Sequence, residues 1–88
     1  MIALPTIIAE RLDRELETSQ RKLPGRWLVD KLEDYWSRPA AVAMDLNTIA
    51  FDFNRDRETI TIADIISLFD PFEVPYADFR DYLLARYP

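Results

Sequence analysis

The sequence predicts an all-α protein, a compact bundle of about five short helices forming a single helical domain over residues 1–88. Three observations carry that expectation. Apolar residues recur at helical spacing in successive segments along the chain. Pro5, Pro24, Pro39, Pro71 and Pro75 fall where this spacing breaks, and proline suits the first turn of a helix while ending the one before it. The connections left between segments are short, as in bundles whose neighbouring helices run antiparallel.

The first segment runs from about Pro5 to Lys22. Ile8, Ala9, Leu12 and Leu16 fall on one side, and Glu10, Arg14, Glu17 and Arg21 on the other. Glu10–Arg14 and Glu17–Arg21 are acid-before-base pairs one turn apart, each worth ~0.2–0.5 kcal/mol. The second segment, about Arg26 to Ser37, groups Leu28, Val29, Leu32, Tyr35 and Trp36, and leaves Trp27 outside that arc. In the third, about Pro39 to Phe53, Val42, Leu46, Ile49, Ala50 and Phe53 match a helical stripe. Met44 and Phe51 form a second stripe on its opposite side. The fourth opens on Thr61, whose Thr-x-x-Asp spacing to Asp64 resembles a capping box, and carries Ile62, Ile65, Ile66 and Phe69 on one face. The last runs from about Pro75 to Tyr87, with Tyr76, Phe79, Leu83 and Tyr87 as its main stripe and Tyr82 and Leu84 beside it.

One stretch supports an alternative. Ile49, Phe51 and Phe53 alternate, as do Ile60 and Ile62, which fits an α+β fold with a hairpin near residues 48–62. Helix is preferred for 39–53 because the 3.6-residue match extends over more positions.

Composition narrows the function. With no cysteine, the chain has no disulfide, thiolate metal site or thiol nucleophile. With no histidine, it lacks the commonest general base and transition-metal ligand. No glycine-rich phosphate loop or nucleophile elbow is present, so no enzymatic activity and no cofactor are expected. Glu33–Asp34 and Asp78–Asp81 supply paired carboxylates, but they fall on polar faces, whereas general acid catalysis needs a carboxyl in an apolar pocket. A formal net charge of −5 disfavours direct nucleic-acid binding and anionic membranes, and favours a basic protein partner. The first residues carry no positive n-region and no apolar run is long enough to span a bilayer, so a cytoplasmic location is expected.

Residues 52–64 resemble a degenerate EF-hand loop. Asp52, Asn54 and Asp56 take the first three oxygen-ligand positions, and Asp64 closes the loop if one residue is inserted. Arg57 stands where such a loop turns on glycine, and Ala63 where it needs a bidentate glutamate. The other reading is a solvated loop whose aspartates pair with Arg55 and Arg57.

Trp27, Met44, Phe51 and Tyr82 fit the expected helical core least well, and aromatic and methionine side chains are enriched at interfaces. The function expected from these features is a small acidic protein-interaction module: an adaptor, regulatory subunit or inhibitor. It would bind through a helical apolar and aromatic surface with an acidic rim. A structural homo-oligomer paired through Met44 and Phe51, or through the wide C-terminal arc, is an alternative. A weak calcium-responsive element at 52–64 is another.

Overall fold

The computed structural model describes residues 3–18 and 25–87 and shows an α+β fold, not a five-helix bundle. Three helices, α1 (Thr6–Thr18), α2 (Gly25–Trp36) and α3 (Tyr76–Arg86), accompany strands β1 (Ala43–Asp45), β2 (Ile49–Asn54), β3 (Thr59–Asp64) and β4 (Phe72–Pro75). The strands form an antiparallel meander in the order β1-β2-β3-β4. The first, second and last expected helices are present. The Lys22 end of the first expected helix lies outside the described residues.

The two middle helices are corrected to strands. β2 and β3 are the alternating segments, and Phe51 pairs with Ile62, Phe53 with Ile60 and Ile49 with Asp64. Residues directly opposite in an antiparallel pair point to the same face. Met44 faces Phe51 across β1–β2, so the apparent second helical stripe is a cross-strand pair. Val42 belonged to the apparent main stripe and is 73% exposed. The helical match over 39–53 arose because the short turn between β1 and β2 shifts the strand alternation into partial agreement with a 3.6-residue period.

The inward face of the sheet carries Met44, Ile49, Phe51, Ile60, Ile62 and Val74, all buried. Leu12 and Leu16 of α1, Leu28 and Leu32 of α2, and Phe79 and Leu83 of α3 join them in one core. The Phe51 and Phe79 rings lie 5.6 Å apart at its centre. The opposite face, with Ala50, Asp52, Thr61, Ala63 and Glu73, contributes no residue to the core. This is the half-covered arrangement usual for an antiparallel sheet.

Arg55 ties the hairpin turn to the end of α2. Its guanidinium donates to the carbonyls of Tyr35 and Trp36 in the last turn of α2, where carbonyls have no intrahelical partner, and to those of Arg38 and Ala41 in the connection that follows. Glu58 ends the same turn with φ 53°, a conformation that glycine adopts without steric cost. Glu58→Gly is expected to raise stability by ~0.5–1 kcal/mol in urea unfolding.

The sheet edges are short. The bonds Phe53 N–H to Val42 (2.9 Å) and Leu46 N–H to Ile49 (2.8 Å) leave only Ala43 and Asp45 pointing outward from β1. On β4, Glu73 and Pro75 point outward, and Pro75 has no N–H. Neither edge offers a long template for strand addition.

Asp13 locks the C-terminal turn onto α1. Its carboxylate accepts from Arg86 Nε at 3.0 Å and from the Tyr87 hydroxyl. The Arg86 hydrogen bond holds the Asp13 carboxyl below its ordinary value, while burial followed by the Asp13 contact pushes the Tyr87 hydroxyl up. A depressed carboxyl contributes stability above its unfolded value and loses it as pH falls through the folded one. A raised hydroxyl contributes stability below its unfolded value and loses it as pH rises through the folded one. The wild type should therefore lose more thermal stability than Asp13→Asn below about pH 4, by at most ~1 kcal/mol for so exposed a pair. Melting curves at pH 3 and pH 6 test this, and equal losses in both proteins would exclude it.

Candidate protein-interaction site

The alternation of β3 sends Ile60, Ile62 and then Asp64 toward the core. An aspartate thus occupies the position of a third apolar residue, with its side chain fully buried (0% exposed). Arg11 from α1 pairs with it at 3.1 Å. Its carboxylate also accepts the N–H groups of Ile66 at 3.0 Å and Leu68 at 3.2 Å, and its carbonyl accepts Ser67 N–H at 3.0 Å. These bonds wind residues 65–68 into a tight loop in which Ser67 takes φ 60°. The pattern that resembles a helix N-cap is therefore a side-chain cap on a loop; both use a short acidic side chain to accept nearby N–H groups.

A second buried carboxylate holds the neighbouring turn. Glu15 of α1 accepts Thr48 N–H at 2.6 Å and the Thr48 hydroxyl. Arg11 donates to the same hydroxyl at 3.3 Å, and Ile65 N–H donates to the Thr48 carbonyl at 3.0 Å. One polar network thus joins α1, the β1–β2 turn and the β3–β4 loop. No buried side-chain nitrogen or oxygen among the described residues lacks a hydrogen-bond partner.

This network holds aliphatic side chains out of the core. Ile65 is 53% exposed, Ile66 64% and Leu68 61%. Phe69 turns back against the core and lies 5.9 Å from the Arg11 guanidinium. Ile66 and Leu68, with Arg11, Arg14, Asn47 and Thr48, border a cleft of about 340 Å³. Ile7, half exposed, lies one turn before Arg11 on the same side of α1.

The structure separates the residues that the sequence grouped. Met44 and Phe51 are 2% and 0% exposed and belong to the core, so neither is available to a partner or to a two-fold contact. Trp27 packs against the core, with the Lys31 ammonium 4.8 Å from its ring. Tyr82 borders a shallow groove with Leu4, Ala9 and Ala85 between α1 and α3. The 52–64 segment is a β-hairpin, so the helices that an EF-hand loop requires on both sides are strands. Asp52 points to the open sheet face, Asn54 accepts Arg57 N–H, and Asp56 lies in the turn. Asp64 sits at the far end of β3, ~17 Å from the turn by strand rise, and is paired with Arg11. No group of three or more Asp or Glu side chains poised to hold a metal ion occurs among the described residues.

The loop 65–68 escaped the sequence reading because Ile65 and Ile66 extend a helical stripe begun by Ile62. The available signal was Asp64 itself, an acidic residue at the inward position of an alternating strand and followed by serine and proline at turn spacing. No helix among the described residues is long and apolar enough to cross a membrane. Compared with protein-family models, curated proteins and solved structures, the chain matches none, and its functional reading rests on the chemistry of its surfaces.

Proposed function

We propose that this protein is a small docking module that binds a partner protein through the aliphatic loop Ile65–Leu68. One observation carries the reading: three large aliphatic side chains are held in solvent by a loop whose anchor is a buried ion pair. Burying Asp64 and Arg11 has a desolvation cost that a simple apolar turn would avoid. Apolar groups clustered on an ordered surface mark interaction sites. The module acts by binding rather than catalysis, a reading supported by the absence of histidine and cysteine. Its net charge of −5 favours encounter with a basic partner, which is faster at low salt.

Homo-oligomerisation is the weaker reading. Met44 and Phe51, the residues a two-fold contact would use, are buried in the core, and the sheet edges are short.

The test is the double variant Ile66→Asp/Leu68→Asp. Both side chains are solvent-exposed, so its melting temperature should stay within ~2 °C of wild type. A partner recovered in stoichiometric amount at low salt by the wild type should be lost by the variant. Recovery of the same partner by both proteins would refute the assignment to this loop, and light scattering showing a stable dimer would favour self-assembly.

A further inference from the structure

The sheet face turned away from the core presents Ala43, Asp52, Thr61 and Glu73 in one row across the four strands, and Asp45, Ala50 and Ala63 in the next. We propose that this face receives a lysine-rich amphipathic helix of a partner protein, whose apolar residues reach Ile65. The proposal gives the docking reading above its partner chemistry, and rests on that reading only for the contact at Ile65.

Ile65 joins the aliphatic loop to this face. Its N–H donates to the Thr48 carbonyl at 3.0 Å, which carries the β2–β3 register one residue beyond Asp64. The alternation of the strand therefore turns Ile65 to the side of Thr61 and Ala63. Ile66 and Leu68, by contrast, border the cleft beside α1. The face next to Ile65 is low. Alanine is a poor strand former, yet it holds three of the seven positions in these two rows. Small side chains let a helix settle closely on the sheet. The short edges disfavour an added strand, so the partner segment lies over the face and not beside it.

The charge of the face is of one sign. Asp45, Asp52 and Glu73 are exposed, and no lysine or arginine stands in either row. Glu73 is already engaged: Arg57 from the hairpin turn pairs with it at 3.2 Å, and the Thr59 hydroxyl donates to it at 2.8 Å. Asp45 and Asp52 make no hydrogen bond or ion pair among the described residues. They stand diagonally on neighbouring strands, ~7–8 Å apart, so each adds to the other's need for a counter-charge. Lysines at i and i+4 of a helix lie ~5–6 Å apart at their Cβ atoms and reach both carboxylates on flexible stems.

The experiment titrates the 15N-labelled full chain with the peptide Ac-Ala-Lys-Leu-Ala-Ala-Lys-Leu-Ala-Ala-Lys-Leu-Ala-NH2. One counterpart carries glutamate in place of each lysine, and another carries proline in place of the alanine before the second lysine, which breaks the helix. The lysine peptide should shift the amides of Ala50, Asp52, Thr61, Ala63 and Ile65, and both counterparts should bind more weakly. Asp45→Asn/Asp52→Asn should weaken binding about three- to fivefold without lowering the melting temperature, since both side chains are exposed. No shift at millimolar peptide, shifts confined to the acidic surface of α2, equal binding of either counterpart, or unchanged affinity in the double variant would each overturn the proposal. Shifts confined to Ile65–Leu68 would overturn it while leaving the loop reading in place. Shifts over the strands with none at Ile65 would support the face and separate it from the loop.

Discussion

Asp64→Ala is expected to destabilise the protein by ~3–5 kcal/mol, the loss typical of removing one member of a buried ion pair. The substitution leaves Arg11, whose side chain is 16% exposed, without its carboxylate, and leaves the Ile66 and Leu68 N–H groups without their acceptor. Small domains have ~5–15 kcal/mol in total, so the variant should unfold at a much lower urea concentration. Arg11→Met/Asp64→Leu distinguishes pairing from anchoring. Removing both charges should restore most of the stability, because an apolar pair of similar size often replaces a buried ion pair without loss. The loop would still lack its acceptor, so hydrogen exchange at Ile66 and Leu68 should remain fast in the double variant. Slow exchange there would show that the ion pair is dispensable for presenting the aliphatic loop.

Phe51→Ala should cost ~3–5 kcal/mol, because it opens a cavity at the centre of the core. Phe51 is fully buried, pairs with Met44 and Ile62 on the sheet, and meets Phe79 of α3. Phe51→Asp would place an unpaired charge there and should abolish folding, so loss of a partner in that variant says nothing about an interface. Denaturant unfolding followed by circular dichroism measures both substitutions. A loss below ~1 kcal/mol for Phe51→Ala would contradict the core position.

These two residues show where local pattern was sufficient and where it failed. The helices were legible because each buries one face and solvates the other over ten or more residues. Leu12 and Leu16, Leu28 and Leu32, and Phe79 and Leu83 all lie in the core as their spacing implies. The hairpin was legible only as an alternative, because strands of six residues give few repeats of either period. Met44 and Phe51, seven residues apart, satisfy a helical spacing and a strand pairing equally well. Choosing between them requires the neighbours β3 and β4, which complete the sheet and bring Ile62 and Val74 to the same face. Sheet formation is non-local, and its energy lies in pairs that a linear pattern does not contain.

The surfaces divide in the same way. Chain composition alone established the acidic charge and the missing histidine and cysteine, since these are properties of residue types and survive any arrangement. Which apolar residues meet solvent depended on tertiary contacts. Ile65, Ile66 and Leu68 are as apolar as the core residues, yet they are held outside because Asp64 reaches Arg11, fifty-three positions away, and closes the loop upon itself. Trp36 and Tyr76, forty residues apart in the chain, become one stacked surface because α2 packs against α3 and Arg55 holds the end of α2 to the hairpin turn. Burial is a property of the packed chain, and a side chain's hydrophobicity sets only the energy of its exposure, not whether exposure occurs.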